Sequence, residues 1–299
     1  MQQKFNDKNR NLLVNINGQL VHREKAATSP FDSAVQGGDA VWEGLRLYNG
    51  RIFKLHEHLD RLERSARKLS FAEIPPRQEI IVAIQRTLEA NRMRNDVHIR
   101  LTLTRGVKIT SGMDPRLNQS GPTLIVVAEH KPPVYAKTGL VLKTASARRP
   151  PPEILDARIH HANLLNSILA KIEANNAGVD DALMLDLNGF VAETNATNVF
   201  IMRGEELATP RTIACPEGIT RATVLDLCRK HAVPHGERDV SLTDVYRADE
   251  MFCTGTMGEL AAVTRVDGRT IGNGTVGPIT QRLTELFGEL TRTEGVQVV

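Results

Sequence analysis

Cysteine is scarce in this chain, and Cys215, Cys228 and Cys253 form neither a CxxC nor any metal-ligand spacing. That excludes a zinc ribbon and a disulfide framework, and it fits a reducing compartment with thiols that are mostly buried. No apolar stretch approaches the ~20 residues of a membrane span, and the opening MQQKFNDKNR has no apolar signal core. A cytoplasmic protein is therefore expected. Neither sign of charge prevails: 38 Lys and Arg against 35 Asp and Glu leave a formal +3, spread along the chain. There is thus no electrostatic case for a nucleic acid or a membrane as partner. The basic stretch SARRPPPE, residues 146–153, is short and proline-rich and reads as a solvated loop. Tryptophan occurs once, as Trp42.

What is present suits a soluble globular protein: 41% hydrophobic and 24% charged residues over 299 positions, enough for two domains. Asn17-Gly18 and Asn49-Gly50 each sit between alternating apolar residues and read as tight hairpin turns. Leu59, Leu62, Ala66 and Leu69 recur at helical spacing, and a second helix follows Pro75-Pro76. VHIRLTLT and PTLIVVAE read as strands. EHKPPVYAKTG, with two prolines and no periodicity, reads as a connector. The expected division is 1–130 as a small N-terminal domain, 131–141 as linker and 142–299 as a larger domain. In the larger domain, strands are expected in LVLKTAS, DALMLD, GFVAET, NVFIM and EMFCTGT. Helices are expected after Asn163, at GITRATVLDLCRKH and at the end, where Ile279, Leu283, Leu286 and Leu290 share a stripe. Strands and helices alternate in both halves, so the class is α/β or α+β.

Several short stretches carry chemistry. In PEGITRATVLDL, Gly218 permits a sharp turn, and Ile219 and Thr220 open a helix whose free N–H groups suit an anion. In CTGTMGEL, Thr254, Gly255 and Thr256 have the composition of a phosphate-binding nest. Each alone is an ordinary helix start or turn; together they suit one phosphate gripped from two sides. Alternation in GFVAET puts Phe190 and Ala192 on one face and Val191 and Glu193 on the other. A carboxylate closing an apolar strand is costly to bury alone. Arg100 interrupts the apolar run Ile99, Leu101, Leu103 and could take a carboxylate in bidentate fashion. Arg61 lies off its helix's apolar stripe, on what reads as a solvated face. Core packing is the simplest reading of Trp42. His56 and His58 point to different sides of a helix and read as surface residues. Adjacent His160 and His161 point apart on most backbones, with no third ligand nearby, so no metal site is expected.

In order and spacing, four segments resemble the class IV (fold type IV) aminotransferases, which depend on pyridoxal phosphate. They are VWEGLRLYNGRIFKLHEHLDRLERSARKL, NLLNSILAKIEANNAGVDDALMLDLNGFVAETNATNVFIM, CPEGITRATVLDL and DEMFCTGTMGELAAVTRVDGRTIG. The resemblance runs from about residue 11 to about 290 and is nearest to the branched-chain amino-acid group. It implies a two-domain fold type IV architecture, a homodimer, and transfer of an amino group between a small, branched-chain amino acid and 2-oxoglutarate. It also implies roles. Arg61, Gly218, Ile219, Thr220, Gly255 and Thr256 would hold the cofactor phosphate. Glu193 would pair with the ring nitrogen. Trp42, Arg100 and Met257 would meet the substrate.

The resemblance carries a departure. Family members have a Schiff-base lysine three or four residues before the asparagine that opens the helix. Here that asparagine is Asn163, and the preceding positions hold His160 and Ile159. Leu164 stands where branched-chain enzymes have tyrosine, and Gly37 where some have the tyrosine of an HYG segment. An imidazole moves protons but has no primary amine. The cofactor is therefore expected to be bound non-covalently or as pyridoxamine phosphate, with His160 as the proton-transfer group. Lys171, 11 residues along, and Lys143 are weak substitutes. Two alternatives follow: a degenerate relative that binds cofactor or an anionic metabolite without transamination, or an enzyme like the aminodeoxychorismate lyases.

Overall fold

The computed structural model describes residues 4–135 and 138–299, and the chain divides into two compact units. Of the described residues, the first takes 4–132, Ile159–Asn163 and Thr291–Val299; the second takes 133–158 and Leu164–Leu290. The division is not a single cut, because 159–163 and 291–299 return to the first unit. Positions 136 and 137 of the expected connector lie outside the described residues.

In the first unit, β1 (Leu13–Ile16) and β2 (Gln19–His22) form one hairpin. After α1 (Ser33–Gly37), β3 (Ala40–Tyr48) and β4 (Arg51–Ile52) form the other. Both turns have the expected chemistry: φ is 48° at Asn17 and Asn49, and 81° and 80° at the following glycines. Paired positive φ values match a turn to the twist of its strands. The helices α2 (Leu55–Lys68) and α3 (Arg77–Ala90) precede β5 (Val97–Thr104) and β6 (Thr123–His130). Strands β3 and β5 pair from Ala40 to Leu47 of β3. On one face, Val41, Leu45 and Leu47 lie opposite Leu103, Ile99 and Val97. Leu55, Leu59, Leu62 and Ala66 of α2 and Ile80, Ile84 and Leu88 of α3 complete that core. The other face carries Trp42, Gly44 and Arg46 opposite Thr102, Arg100 and His98.

The second unit is built from β7 (Leu140–Thr144), α4 (Pro152–Leu155), α5 (Leu165–Asn176), β8 (Asp181–Leu185), β9 (Val191–Thr194), β10 (Asn198–Arg203) and β11 (Glu206–Thr209). It continues through α6 (Ile219–Lys230), β12 (His235–Glu237), α7 (Leu242–Tyr246), β13 (Glu250–Gly255), β14 (Glu259–Val266) and β15 (Arg269–Thr270). Its sheet runs β12-β11-β10-β13-β14-β7-β8-β9, with β15 on β14. After α8 (Pro278–Thr293), β16 (Val296–Gln297) pairs with β4 and completes the first unit's sheet, β16-β4-β3-β5-β6-β1-β2.

Two local expectations are corrected. In α8 the buried positions include Thr280, Leu283 and Phe287, while Leu286 is only partly buried. The stripe is rotated because Thr280 is drawn inward by Glu250, which accepts from both its N–H (2.8 Å) and its hydroxyl (2.7 Å). In β9 all four residues are buried, so no solvent face exists for alternation to select.

Candidate functional site

In the first unit the segment around His160 is pinned along the start of β3. Trp42 N–H donates to the His160 carbonyl at 3.0 Å, and Ala162 N–H donates to the Ala40 carbonyl at 2.8 Å. The His160 N–H donates to the Ser65 hydroxyl (3.0 Å), and the imidazole stacks on Trp42 with ring centroids 4.3 Å apart. Its Nδ1 is 2.5 Å from the Trp42 carbonyl oxygen and 3.6 Å from Glu43 Oε1. Burial, with the Arg61 charge nearby, lowers the His160 pKa to about 3, so the ring is neutral near pH 7.

Glu43 is the hub of this group, and its sequence context does not single it out. The period of two puts its carboxylate on the core face between Val41 and Leu45, where it is 0% exposed. Arg61 grips it with Nε (2.7 Å) and Nη2 (2.6 Å), and His58 Nδ1 lies 2.6 Å from Oε2. Burial opposes ionisation, but the Arg61 guanidinium and the neighbouring imidazoles hold Glu43 below the usual carboxylate range. A buried charge left unpaired costs several kcal/mol, which is why the partners are inside with it. His58 is therefore not a surface residue: it is buried, and α2 carries a polar inner stripe of His58, Arg61 and Ser65 beside its apolar one. Arg61 is likewise buried rather than solvated, with two of its three nitrogens committed to Glu43.

On the opposite face of the sheet, the Arg100 guanidinium lies 3.5 Å from the centroid of the Trp42 ring. Burial lowers its pKa to about 10, which leaves it charged near neutrality. Trp42 is thus partly buried between Arg100 and His160 rather than packed in the apolar core. His98, also unremarked in the sequence, is pushed down to about 3 by burial and by the cations Lys131, Arg100 and Arg46. Its buried Nε2 has no hydrogen-bond partner.

In the second unit Glu193 is buried and pairs with Arg149, Nη2 to Oε1 at 2.8 Å. Burial raises the Glu193 pKa to about 7, against the pull of Arg149. This corrects the reading of SARRPPPE as a solvated loop. Arg149 is buried, and it also donates to the Ala214 carbonyl (3.2 Å), Asn166 Oδ1 (3.2 Å) and Ser167 Oγ (3.3 Å). Proline-rich flanks and an adjacent exposed arginine hide a side chain that points inward.

Asn198 gathers the remaining candidates. Its backbone pairs with Thr254 across β10 and β13, and its side-chain amide donates to the Pro216 carbonyl at 3.0 Å. Gly218 lies so close that a Cβ there would meet Asn198 Oδ1 at 1.9 Å, and its φ of 67° suits only glycine. The glycine opens α6, and no side chain caps that helix end. The N–H groups around Ile219 and Thr220 are thus left for another acceptor. Thr254 Oγ1 is buried without a partner. Gly255 rests against Thr197, 3.1 Å from where its Cβ would be. The following turn is clasped by the connector: Val134 N–H donates to the Met257 carbonyl (3.2 Å), and the Tyr135 ring covers Gly258. Glycine is needed there because a Cβ would meet the ring at 2.2 Å. Tyr135 is anchored by its hydroxyl, 2.5 Å from Asp181.

The two substitute lysines are differently placed. Lys171 donates to Asp181 Oδ1 (2.9 Å) and to the Asp180 carbonyl, so its ammonium is already engaged. Lys143 is exposed on β7, with Glu173 as an electrostatic neighbour. Among the described residues no three His, Cys, Asp or Glu side chains are grouped to hold a metal ion. No described helix is long and apolar enough to cross a membrane.

Comparison with known proteins matches residues 40–266 to the family described as amino-transferase class IV. The chain is 55% identical over 291 residues to branched-chain-amino-acid aminotransferase-like protein 2 of Arabidopsis thaliana, covering 97% of this chain and 52% of that protein. It is 41% identical to a putative branched-chain-amino-acid aminotransferase of Methanocaldococcus jannaschii, over 95% of this chain and 98% of the relative. The chain thus spans about half the length of the Arabidopsis relatives and nearly all of the archaeal one. Among solved structures, the branched-chain aminotransferase of Thermoproteus uzoniensis, with norvaline, superposes with a TM-score of 0.87 at 29% identity, covering 95% of this chain and 96% of that one. The branched-chain amino acid aminotransferase of Thermobaculum terrenum, in its PLP-form, gives 0.84 at 29% identity, covering 95% of both chains. The mixed α/β architecture is that of the fold type IV aminotransferases, and the chain belongs to the amino-transferase class IV family.

Proposed function

We propose that the chain binds pyridoxal phosphate and transfers an amino group between a branched-chain or other small amino acid and 2-oxoglutarate, with His160 standing where the family's lysine would be. When bound, the cofactor supplies an electron sink for the reaction. The donor set fits that group. The uncapped start of α6 at Gly218, Ile219 and Thr220, with the unpartnered Thr254 hydroxyl and the Gly255–Thr256 turn nearby, suits a phosphate. Glu193 suits a protonated ring nitrogen: its raised pKa reflects a buried carboxylate that one arginine only partly compensates, and a second cation favours its ionised form. In the first unit Glu43 fixes two of the three Arg61 guanidinium nitrogens, Nε and Nη2. Arg100 is a partly buried cation that suits a carboxylate, beside Trp42. Met257 lies in the turn that Val134 holds.

The single observation that carries the reading is Glu193, a buried carboxylate held by Arg149 in the same unit as the uncapped helix end. Glutamate formation from 2-oxoglutarate and leucine, isoleucine or valine tests it. Native protein should be active, and Glu193→Gln should lower kcat by roughly 10²-fold, the scale on which loss of one electrostatic partner acts. Activity unchanged by that substitution counts against the assignment.

His160 favours a second reading. An imidazole whose conjugate acid has a pKa of about 3 accepts protons weakly at neutral pH. A relative that binds the cofactor without turning over is its consequence; in that case native protein takes up cofactor but forms no glutamate. A homodimer is also proposed. The stripe Leu165, Ile168, Leu169 and Ile172 on α5 is apolar and exposed, and a two-fold contact between copies would cover it.

A further inference from the structure

Asparagine precedes glycine at residues 17, 49, 188 and 273. The pair is chemically labile, because glycine has no Cβ to shield its nitrogen and that nitrogen can attack the asparagine side-chain amide. Attack needs a side chain free to turn and a backbone N–H not held elsewhere. At 17, 49 and 273 one or both are engaged. Asn17 Oδ1 accepts from the Leu124 N–H (2.7 Å), and Gly18 N–H donates to Asn15 Oδ1 (2.8 Å). Gly50 is buried, and its N–H donates to the Arg94 carbonyl at 2.7 Å. Asn273 Oδ1 accepts from the N–H (3.0 Å) and the hydroxyl (2.7 Å) of Thr275, and Gly274 N–H donates to the Ile271 carbonyl at 2.9 Å. Asn188 and Gly189 differ. Both are exposed in the turn between β8 and β9, and among the described residues the Asn188 side-chain amide bonds to nothing. Beyond the chain neighbours of Gly189, no heavy atom lies within 4 Å of where its Cβ would stand. Its N–H donates to the Asp186 carbonyl at 3.2 Å, a longer bond than those of Gly18, Gly50 and Gly274.

We propose that Asn188 is a site of spontaneous deamidation, selected from the chain's Asn-Gly pairs by the open β8–β9 turn, with water as the reactant. The Gly189 nitrogen bonds to Asn188 Cγ as its proton passes to solvent. The Cγ–Nδ2 bond breaks, Nδ2 takes a proton and leaves as ammonia, and a cyclic imide closes. Water then adds to either imide carbonyl and breaks that carbonyl's bond to the nitrogen. The product is an aspartyl or an isoaspartyl link with one new carboxylate, and nothing is oxidised or reduced. That carboxylate arises beside Asp186, whose Oδ1 accepts from the Asn188 and Phe190 N–H groups at 2.9 Å each. Repulsion between the two like charges, and the extra main-chain carbon of the isoaspartyl form, fall on the turn that leads into β9, the strand of Glu193. No bound cofactor and no turnover enters this chemistry.

Peptide mapping by mass spectrometry tests this on the full chain, sampled over time at mildly alkaline pH and physiological temperature. In the native protein the Asn188 peptide should gain the mass of deamidation about tenfold faster than those of Asn17, Asn49 and Asn273, the scale on which one hydrogen bond that must first open slows a site. In denaturant, where each pair is an unfolded Asn-Gly, the rates should fall within about threefold of one another. Asn188→Gln should remove the fast site and leave the slow ones unchanged. Native deamidation at Asn17, Asn49 or Asn273 as fast as at Asn188 overturns the assignment. So does an Asn188 that stays intact in the native protein while the denatured chain deamidates there.

Discussion

Glu193 illustrates how little of a residue's role is local. Its place at the end of an apolar strand marks it as unusual, but its partner lies 44 positions earlier in a segment that looks like solvent-exposed linker. Hydropathy windows cannot find such an arginine, because proline and charge have the same signature in a loop and in a buried clamp. Glu43 and His58 are hidden for a related reason: each has a polar side chain in a position that the strand and helix periods assign to the interior, so each reads as noise in an otherwise apolar pattern. The Glu193 pKa of about 7 has a thermodynamic consequence. A carboxyl whose folded pKa is raised binds its proton more tightly in the native state, so its contribution to stability is present at low pH and is lost as pH rises from about 4.5 to 7. The magnitude is on the order of 3 kcal/mol for a fully buried group. His98 and His160 act in the opposite sense, being neutral inside and costing stability as pH falls below their unfolded value. The Glu193 contribution is isolated by comparison: denaturant melts of cofactor-free native protein and Glu193→Gln across pH 4.5–7 should differ in slope, with the native curve falling relative to the variant. Parallel curves contradict the raised pKa.

At the scale of elements, the parts with a short-range cause are readable. The Asn-Gly pairs specify both hairpins because only those backbone angles join the strands, and α2, α3 and α6 show helical period or a glycine start. Elements whose stability comes from distant partners are not. The pairing of 160–162 with β3 and of β16 with β4 has no local signature, since two or three residues in extended form are stabilised only by the strand they meet. Helix α5 is readable as a helix, but which of its faces is covered is not. Ala170 and Ala174 face the core, while Leu165, Ile168, Leu169 and Ile172 remain 47–61% exposed. If a second copy covers that stripe, Ile168→Asp with Leu169→Asp should shift the sedimenting species from dimer to monomer while leaving the fold intact, since both side chains are half in water. A native protein that sediments as a monomer contradicts the two-fold contact.

For the whole molecule, membership of the class IV aminotransferases rests on sequence and fold together, and the proposed chemistry turns on His160. The second unit presents an uncapped helix end, an unpartnered threonine hydroxyl and a clamped carboxylate, all suited to a phosphorylated pyridine. The first unit presents an imidazole that is neutral near pH 7, with Nδ1 against the Trp42 carbonyl. Lys171 is engaged with Asp181, and Lys143 is exposed on its strand. The account therefore requires a cofactor that is held but not tethered. The most direct measurement is the absorbance of protein saturated with pyridoxal phosphate and freed of excess, before and after borohydride, followed by the intact mass of the denatured chain. The account predicts a retained cofactor band and an unchanged chain mass. Failure to retain cofactor, or a mass increased by one pyridoxyl group, contradicts it.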